Sequence, residues 1–144
     1  MSGCCGSANP RRTLAAVILV GAAAALLAAC SSGAPDIRLD QTQLDLGQVV
    51  NGEVRTIEVS VLNQGNTDLV IEAVSTSCGC TSAQIIPTTL GPGERGSLQV
   101  SFDSGAHGPE ELGPVMRQVF IASNDPDQPE VDFRFTAEIL PPDS

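Results

Sequence analysis

Cys78 and Cys80 stand one residue apart in the run Ser77-Cys78-Gly79-Cys80-Thr81 and are the side chains with the most evident chemistry. On a strand, residues i and i+2 point to the same side, so the pair can present two sulfurs together. Three uses stay open. A disulfide within the motif is geometrically feasible, because an i to i+2 span lies near the upper end of the bridgeable Cα range of about 4.4–6.8 Å. Gly79 can bend the backbone to shorten that span. So small a ring removes little unfolded-state entropy, which makes such a bridge redox-active or incidental rather than structural. A soft metal site is the second use: two thiolates suit Cu(I) or Zn(II), although a closed Zn site takes four ligands. The third use is packing, two small semi-apolar residues at a turn with Gly79 supplying the φ it needs. The sole His, His107, and Met116 follow later in the chain and are the further soft donors. Taken singly, His107 reads as a surface-loop residue and Met116 as an apolar residue at the start of a strand.

Other chemistry is sparse. With one His and no nucleophile motif, neither general acid–base nor covalent catalysis has an apparatus. No Gly-rich phosphate loop follows a strand. The sequence therefore reads as no enzyme, and it implies no cofactor unless Cu or Zn sits on Cys78, Cys80 and His107. Asp125, Asp127, Glu130 and Asp132 offer oxygens of the kind that bind calcium. They lack EF-hand spacing, and Asn124-Asp125-Pro126 is a strong turn former by itself, so a turn is expected there.

The first 29 residues read as a signal peptide. Arg11 and Arg12 precede an apolar run from Thr13 to Leu27, and small residues follow at Ala28 and Ala29. The tetrapeptide Leu27-Ala28-Ala29-Cys30 resembles the lipobox of bacterial lipoproteins. That resemblance implies cleavage before Cys30, loss of Cys4 and Cys5 with the leader, and a diacylglycerol thioether (a palmitate-type anchor) on Cys30. An uncleaved span is disfavoured, since about 20 apolar residues are needed and the run is shorter and rich in Ala. Residues 30–36 then form a lipidated tether whose last six residues reach roughly 20 Å when extended. All 17 acids lie beyond the leader with five of the seven Arg and no Lys, a net charge of −12. Nucleic acid and anionic lipid surfaces, which need basic patches, are excluded as partners. The expected membrane contact is the lipid on Cys30.

From Ile37 the pattern has period two, broken by turn residues. Leu44 and Leu46 alternate, and Asn51-Gly52 predicts a hairpin turn. Ile57, Val59 and Val61 form a second set; Leu69, Ile71 and Val74 a third; Gln84–Ile86 a short fourth. Leu98, Val100 and Phe102 form a fifth, and Val119 with Ile121 a sixth. Phe133, Phe135, Ala137 and Ile139 close the series before Pro141-Pro142. About seven short strands with turn signals every ten or so residues, and no helical window, predict an all-β, immunoglobulin-like antiparallel β-sandwich over residues 37–140 with a tail at 141–144. In such a sandwich the loops after the first, third and fifth strands share one end. Cys78 and Cys80 follow the third and His107 the fifth, so the three can approach one another, away from the lipid anchor.

Asn63-Gln64-Gly65, Leu69-Val70-Ile71, Ser77-Cys78-Gly79-Cys80-Thr81, Pro92-Gly93-Glu94 and Ser123-Asn124-Asp125-Pro126 fall in the order and spacing of a bacterial domain family of unknown function. The chain resembles the hydin-type branch of immunoglobulin-like domains over about residues 37–140. The resemblance implies the sandwich and an envelope location, and brings no activity with it. Two functions are carried forward, the first as the leading reading and the second as its alternative. One is a lipid-anchored, non-enzymatic envelope module that presents its surface to a protein partner, facing the periplasm or the exterior. The other is a thiol-based metal-binding (Cu or Zn) or redox protein centred on Cys78-Gly79-Cys80.

Overall fold

A computed structural model describes residues 33–142; the expected signal peptide, Cys4, Cys5 and the expected lipidation site Cys30 lie outside the described residues. Among the described residues there are nine strands: β1 Ile37–Leu39, β2 Gln43–Val50, β3 Val54–Asn63, β4 Leu69–Thr76, β5 Thr81–Ile86, β6 Thr89–Leu90, β7 Arg95–Asp103, β8 Gly113–Ser123 and β9 Glu130–Leu140. They form two sheets, in the orders β1-β3-β7-β5 and β2-β9-β8-β4-β6. The expected all-β sandwich is therefore what the sequence folds into, with nine strands where the alternation indicates about seven. The two additional strands, β1 and β6, span three and two residues, too few to show a period.

The period-two pattern works as the physics requires. Along β9, Phe133, Phe135, Ala137 and Ile139 are buried while Arg134, Thr136 and Glu138 face water. Ile57, Val59 and Val61 of β3 and Leu98, Val100 and Phe102 of β7 meet them from the other sheet. Phe102 and Phe135 pack edge to face with ring centroids 5.2 Å apart, and Phe133 stands 6.4 Å from Phe135. Burying these large rings between the layers supplies the main drive to close the sandwich.

Two expectations are corrected. The sandwich is not wholly antiparallel, because β2 runs parallel to β9, with Leu44 opposite Phe135 and Val49 opposite Ile139. Nor is Asn51-Gly52 a hairpin. A four-residue turn does close there, Glu53 N–H donating to the Val50 carbonyl at 3.0 Å, and Gly52 has φ 94°. The flanking strands then part, β2 into one sheet and β3 into the other. A turn sequence dictates local chain reversal; which neighbours the strands take is decided by distant partners.

The two ends of the sandwich differ. Gly33–Asp36 lead in at one end, where the Asn66 N–H donates to the Ala34 carbonyl and the Gln64 N–H to the Asp36 carbonyl. At the opposite end three connections cross between the sheets: β2 to β3, β4 to β5, and β7 to β8. Two of those crossings bring Cys78, Cys80 and His107 together.

Candidate functional site

Cys78 and Cys80 lie in the crossing from β4 to β5, where the chain turns instead of staying extended. The Thr81 N–H donates to the Cys78 carbonyl at 3.2 Å, closing the turn, and the Cys80 N–H points at Cys78 Sγ at 3.0 Å. Cα78 and Cα80 stand 5.2 Å apart with the two sulfurs joined as a disulfide, inside the bridgeable range. The motif is tied down on both sides. The Ser77 N–H donates to the Gln118 carbonyl and the Gln118 N–H to Ser77 Oγ. The Asp103 N–H donates to the Cys80 carbonyl, and Thr76 Oγ1 lies 3.0 Å from the carbonyl oxygens of both Cys78 and Thr81. Gly79 does not have the role expected of it. Its φ is not positive, and a Cβ built on it meets nothing within 4 Å. The bend comes from the hydrogen bonds around the turn.

His107 arrives from the crossing between β7 and β8, and the sequence around it explains its place. Asn51 donates from Nδ2 to the carbonyls of Gly108 (3.0 Å) and Glu111 (3.2 Å). Ser104 N–H donates to the Glu53 carbonyl, and Ser104 Oγ lies 2.9 Å from the carbonyls of Val50 and Glu53. Gly105 is pressed against Gly52, its built Cβ falling 2.9 Å from Gly52 Cα. The loop so held places His107 Nε2 3.0 Å from Cys78 Sγ. The donor atoms of Cys78, Cys80 and His107 all lie within 4.8 Å of one another. Cys80 is buried, at 3% exposure, Cys78 is half-buried and His107 exposed, so the group opens to water on the His107 side. Met116 does not join it; it stands exposed on β8 opposite Thr136.

Two further residues belong to this end. Val119 and Ile121 of β8 face the core and Val115 packs against it; Arg117 takes the same inward phase. Its side chain is 14% exposed. Nε donates to Cys80 Sγ at 3.1 Å and Nη2 to Glu111 Oε1 at 2.6 Å. A guanidinium in an inward register is costly unless paired, and Glu111 with the Cys80 sulfur are the partners it finds. Sequence reading passed over Arg117, although a cation in the apolar phase of a strand was the available signal.

Chemically, the group offers two states. As a disulfide it is closed. Reduced, it presents two thiols and an imidazole, with a guanidinium beside one sulfur; thiolate and imidazole are the ligands that Cu(I) and Zn(II) take. The acidic run 125–132 is organised differently. Asp125 is 2% exposed, Oδ2 accepts from the Ile37 N–H at 2.9 Å, and Oδ1 accepts from the N–H groups of Asp127 and Gln128. Burial pushes its carboxyl up, but those three backbone donors and the Arg38 charge outweigh it and hold the group below the usual 3.8. Asp132 is spent on Arg134 at 2.7 Å. Asp125 makes the expected turn, while Glu130 and Asp132 lie on β9.

The chain matches the family described as "Protein of unknown function (DUF1573)" over residues 37–139. Among solved structures it is similar to a protein of unknown function from Porphyromonas gingivalis W83, at TM-score 0.66 and 26% identity over 72% of this chain and 46% of that one. The chain thus spans less than half the length of that protein. It is also similar to the PapD-like domain 7 of human CEP192, at TM-score 0.56 and 10% identity over 76% of this chain and 89% of that one. The VesB protease of Vibrio cholerae gives 0.57 at 16% over 71% and 31%. At such identities these last two establish a shared fold and nothing of activity. No curated protein matches.

Proposed function

This chain belongs to the DUF1573 family of proteins of unknown function, and from that premise we propose that it is a lipid-anchored envelope module that binds a soft metal ion, Cu(I) before Zn(II), through Cys78, Cys80 and His107. Of the two functions that the sequence leaves open, the geometry favours the thiol-based one. The observation that carries it is the convergence of three soft donors, from two separate crossings, within 4.8 Å. Two thiolates and one imidazole complete a three-coordinate Cu(I) site, whereas Zn(II) would need a fourth ligand from water or a partner. The strongly acidic surface raises the local concentration of cations. The function is binding rather than catalysis.

Metal and disulfide exclude each other, because the same sulfurs serve both; binding needs the reduced chain. A protein partner in the envelope that delivers or receives the ion is the natural counterpart, since the group opens to solvent beside His107. The test is titration of the mature chain, reduced with a phosphine, against Cu(I) held by a competing chelator. One ion per chain is expected, lost in the Cys78→Ser, Cys80→Ser double variant and weakened about tenfold or more in His107→Ala. The double variant should remain folded by far-UV dichroism, since so small a ring adds little stability. Stoichiometric binding that survives loss of both thiols, or no binding by the reduced wild type, defeats the reading.

A further inference from the structure

The two sulfurs of the Cys78–Cys80 bridge are not equivalent, and their difference sets a direction for its chemistry. Cys80 is 3% exposed, its sulfur lies 3.1 Å from Arg117 Nε, and Thr81 Oγ1 stands 3.6 Å away. Cys78 is half-buried at the open side of the group, with the exposed His107 3.0 Å from its sulfur. A thiol attacking a disulfide must reach one sulfur and expel the other as a thiolate; the reaction favours an accessible target and a stabilised leaving group.

We propose that the bridge opens in one direction, with Arg117 as the positioning residue that receives the leaving charge. An external thiolate, from a small thiol or a dithiol protein, attacks Cys78 Sγ. A mixed disulfide forms between the reagent and Cys78, the S78–S80 bond breaks, and its electron pair leaves on Cys80 Sγ. The new thiolate there faces the guanidinium, a charge-assisted contact of the stronger kind, which Glu111 holds in place through Arg117 Nη2 at 2.6 Å. A second thiol then attacks the reagent's sulfur in the mixed disulfide. It leaves as the oxidised reagent and frees Cys78 as the second thiolate, so two electrons pass from the reagent to the chain.

The inference concerns the same site as the proposed metal function and rests on that reading for its purpose, as the step that readies the two ligands; its chemistry needs no metal. This role gives the charged residue in the inward phase of β8 a use beyond its ion pair with Glu111. A purely structural Arg117 would leave the rate of opening and the place of attack unmoved.

The experiment uses the oxidised mature chain without metal. It is mixed with glutathione, quenched in acid at successive times, and the mixed disulfide is located by peptide mass spectrometry. The adduct is expected on Cys78. Opening is expected to slow about tenfold in Arg117→Gln and to stay within about threefold of wild type in Arg117→Lys, which keeps the charge. An adduct chiefly on Cys80, or equal rates for wild type and Arg117→Gln, overturns the proposal. Should Arg117→Gln fail to fold, the wild-type adduct position still decides. A chain that opens as described yet takes up no Cu(I) refutes the metal reading alone.

Discussion

At the scale of single residues, Gly65 and Gly79 show how differently one residue type is used at the two ends of the molecule. A Cβ on Gly65 would fall 2.6 Å from the Asp36 backbone nitrogen and against the Ala34 carbonyl, so the lead-in segment can pass only because no side chain is there. Gly79, in the middle of the thiol motif, has open space around it and no positive φ. Alanine at Gly65 should therefore cost more than about 2 kcal/mol by forcing backbone apart, while alanine at Gly79 should stay within about 0.5 kcal/mol; urea midpoints of the two variants check both. A large loss at Gly79 would mean the turn relies on glycine after all. The sequence could name Cys78, Cys80 and His107 because soft ligands are rare in this chain. It assigned Gly79 a conformational role by residue type alone, which ignores that Ser77, Thr76 and Asp103 already fix the turn. Arg117 was legible in principle, through the phase of Val115, Val119 and Ile121, but its partners Glu111 and Cys80 lie far off in sequence and only the fold brings them together.

At the scale of elements, the short strands explain most of what alternation could not reveal. β1 is three residues long and holds its place by borrowed contacts: Ile37 pairs with Asn63 of β3, and its N–H donates to the buried Asp125. Asn63 is itself a hub, donating from Nδ2 to the carbonyls of Thr67 and Leu90 and accepting at Oδ1 from Gly65. Asn63-Gln64-Gly65 and Ser123-Asn124-Asp125-Pro126 are thus the residues that weave the lead-in end. Burial raises the Asp125 carboxyl while three N–H donors and Arg38 lower it further, for a net value below 3.8. A folded-state value below the unfolded one means that Asp125 stabilises the fold above about pH 3.8, and that this contribution disappears as the pH falls through the lower, folded value. Asp125→Asn should cost about 1–3 kcal/mol at neutral pH, through donors left poorly matched, and its deficit against wild type should shrink on acidification toward pH 2. Equal deficits at both pH values, read from denaturant curves, would show that the charge on Asp125 is immaterial. Likewise β2 was readable as a strand from Leu44 and Leu46, whereas its parallel alliance with β9 depends on residues some 90 positions downstream.

At the scale of the whole molecule, the sandwich separates the lead-in segment from the thiol group. Residues 33–36 lead in beside the β3–β4 loop, and Cys78, Cys80 and His107 converge at the other end. The strand that runs between the two ends, β8, has 11 residues, which at about 3.3 Å each gives roughly 35 Å between them. If Cys30 carries the proposed lipid, a tether of about 20 Å at most keeps the lead-in end near the bilayer and turns the thiol group toward the aqueous space, where a partner or a reducing thiol can reach it. The geometry makes a measurable difference between two exposed positions, Gln64 beside the lead-in and Ala106 beside the site. With the native bridge intact, a cysteine placed at either can be labelled with a fluorophore in the lipidated chain on vesicles that carry a headgroup quencher. The Gln64→Cys label should be strongly quenched and the Ala106→Cys label nearly untouched. Equal quenching would mean that the sandwich lies flat on the membrane, and the solvent-facing placement of the thiol group would have to be given up even if the ion and the disulfide chemistry were both found.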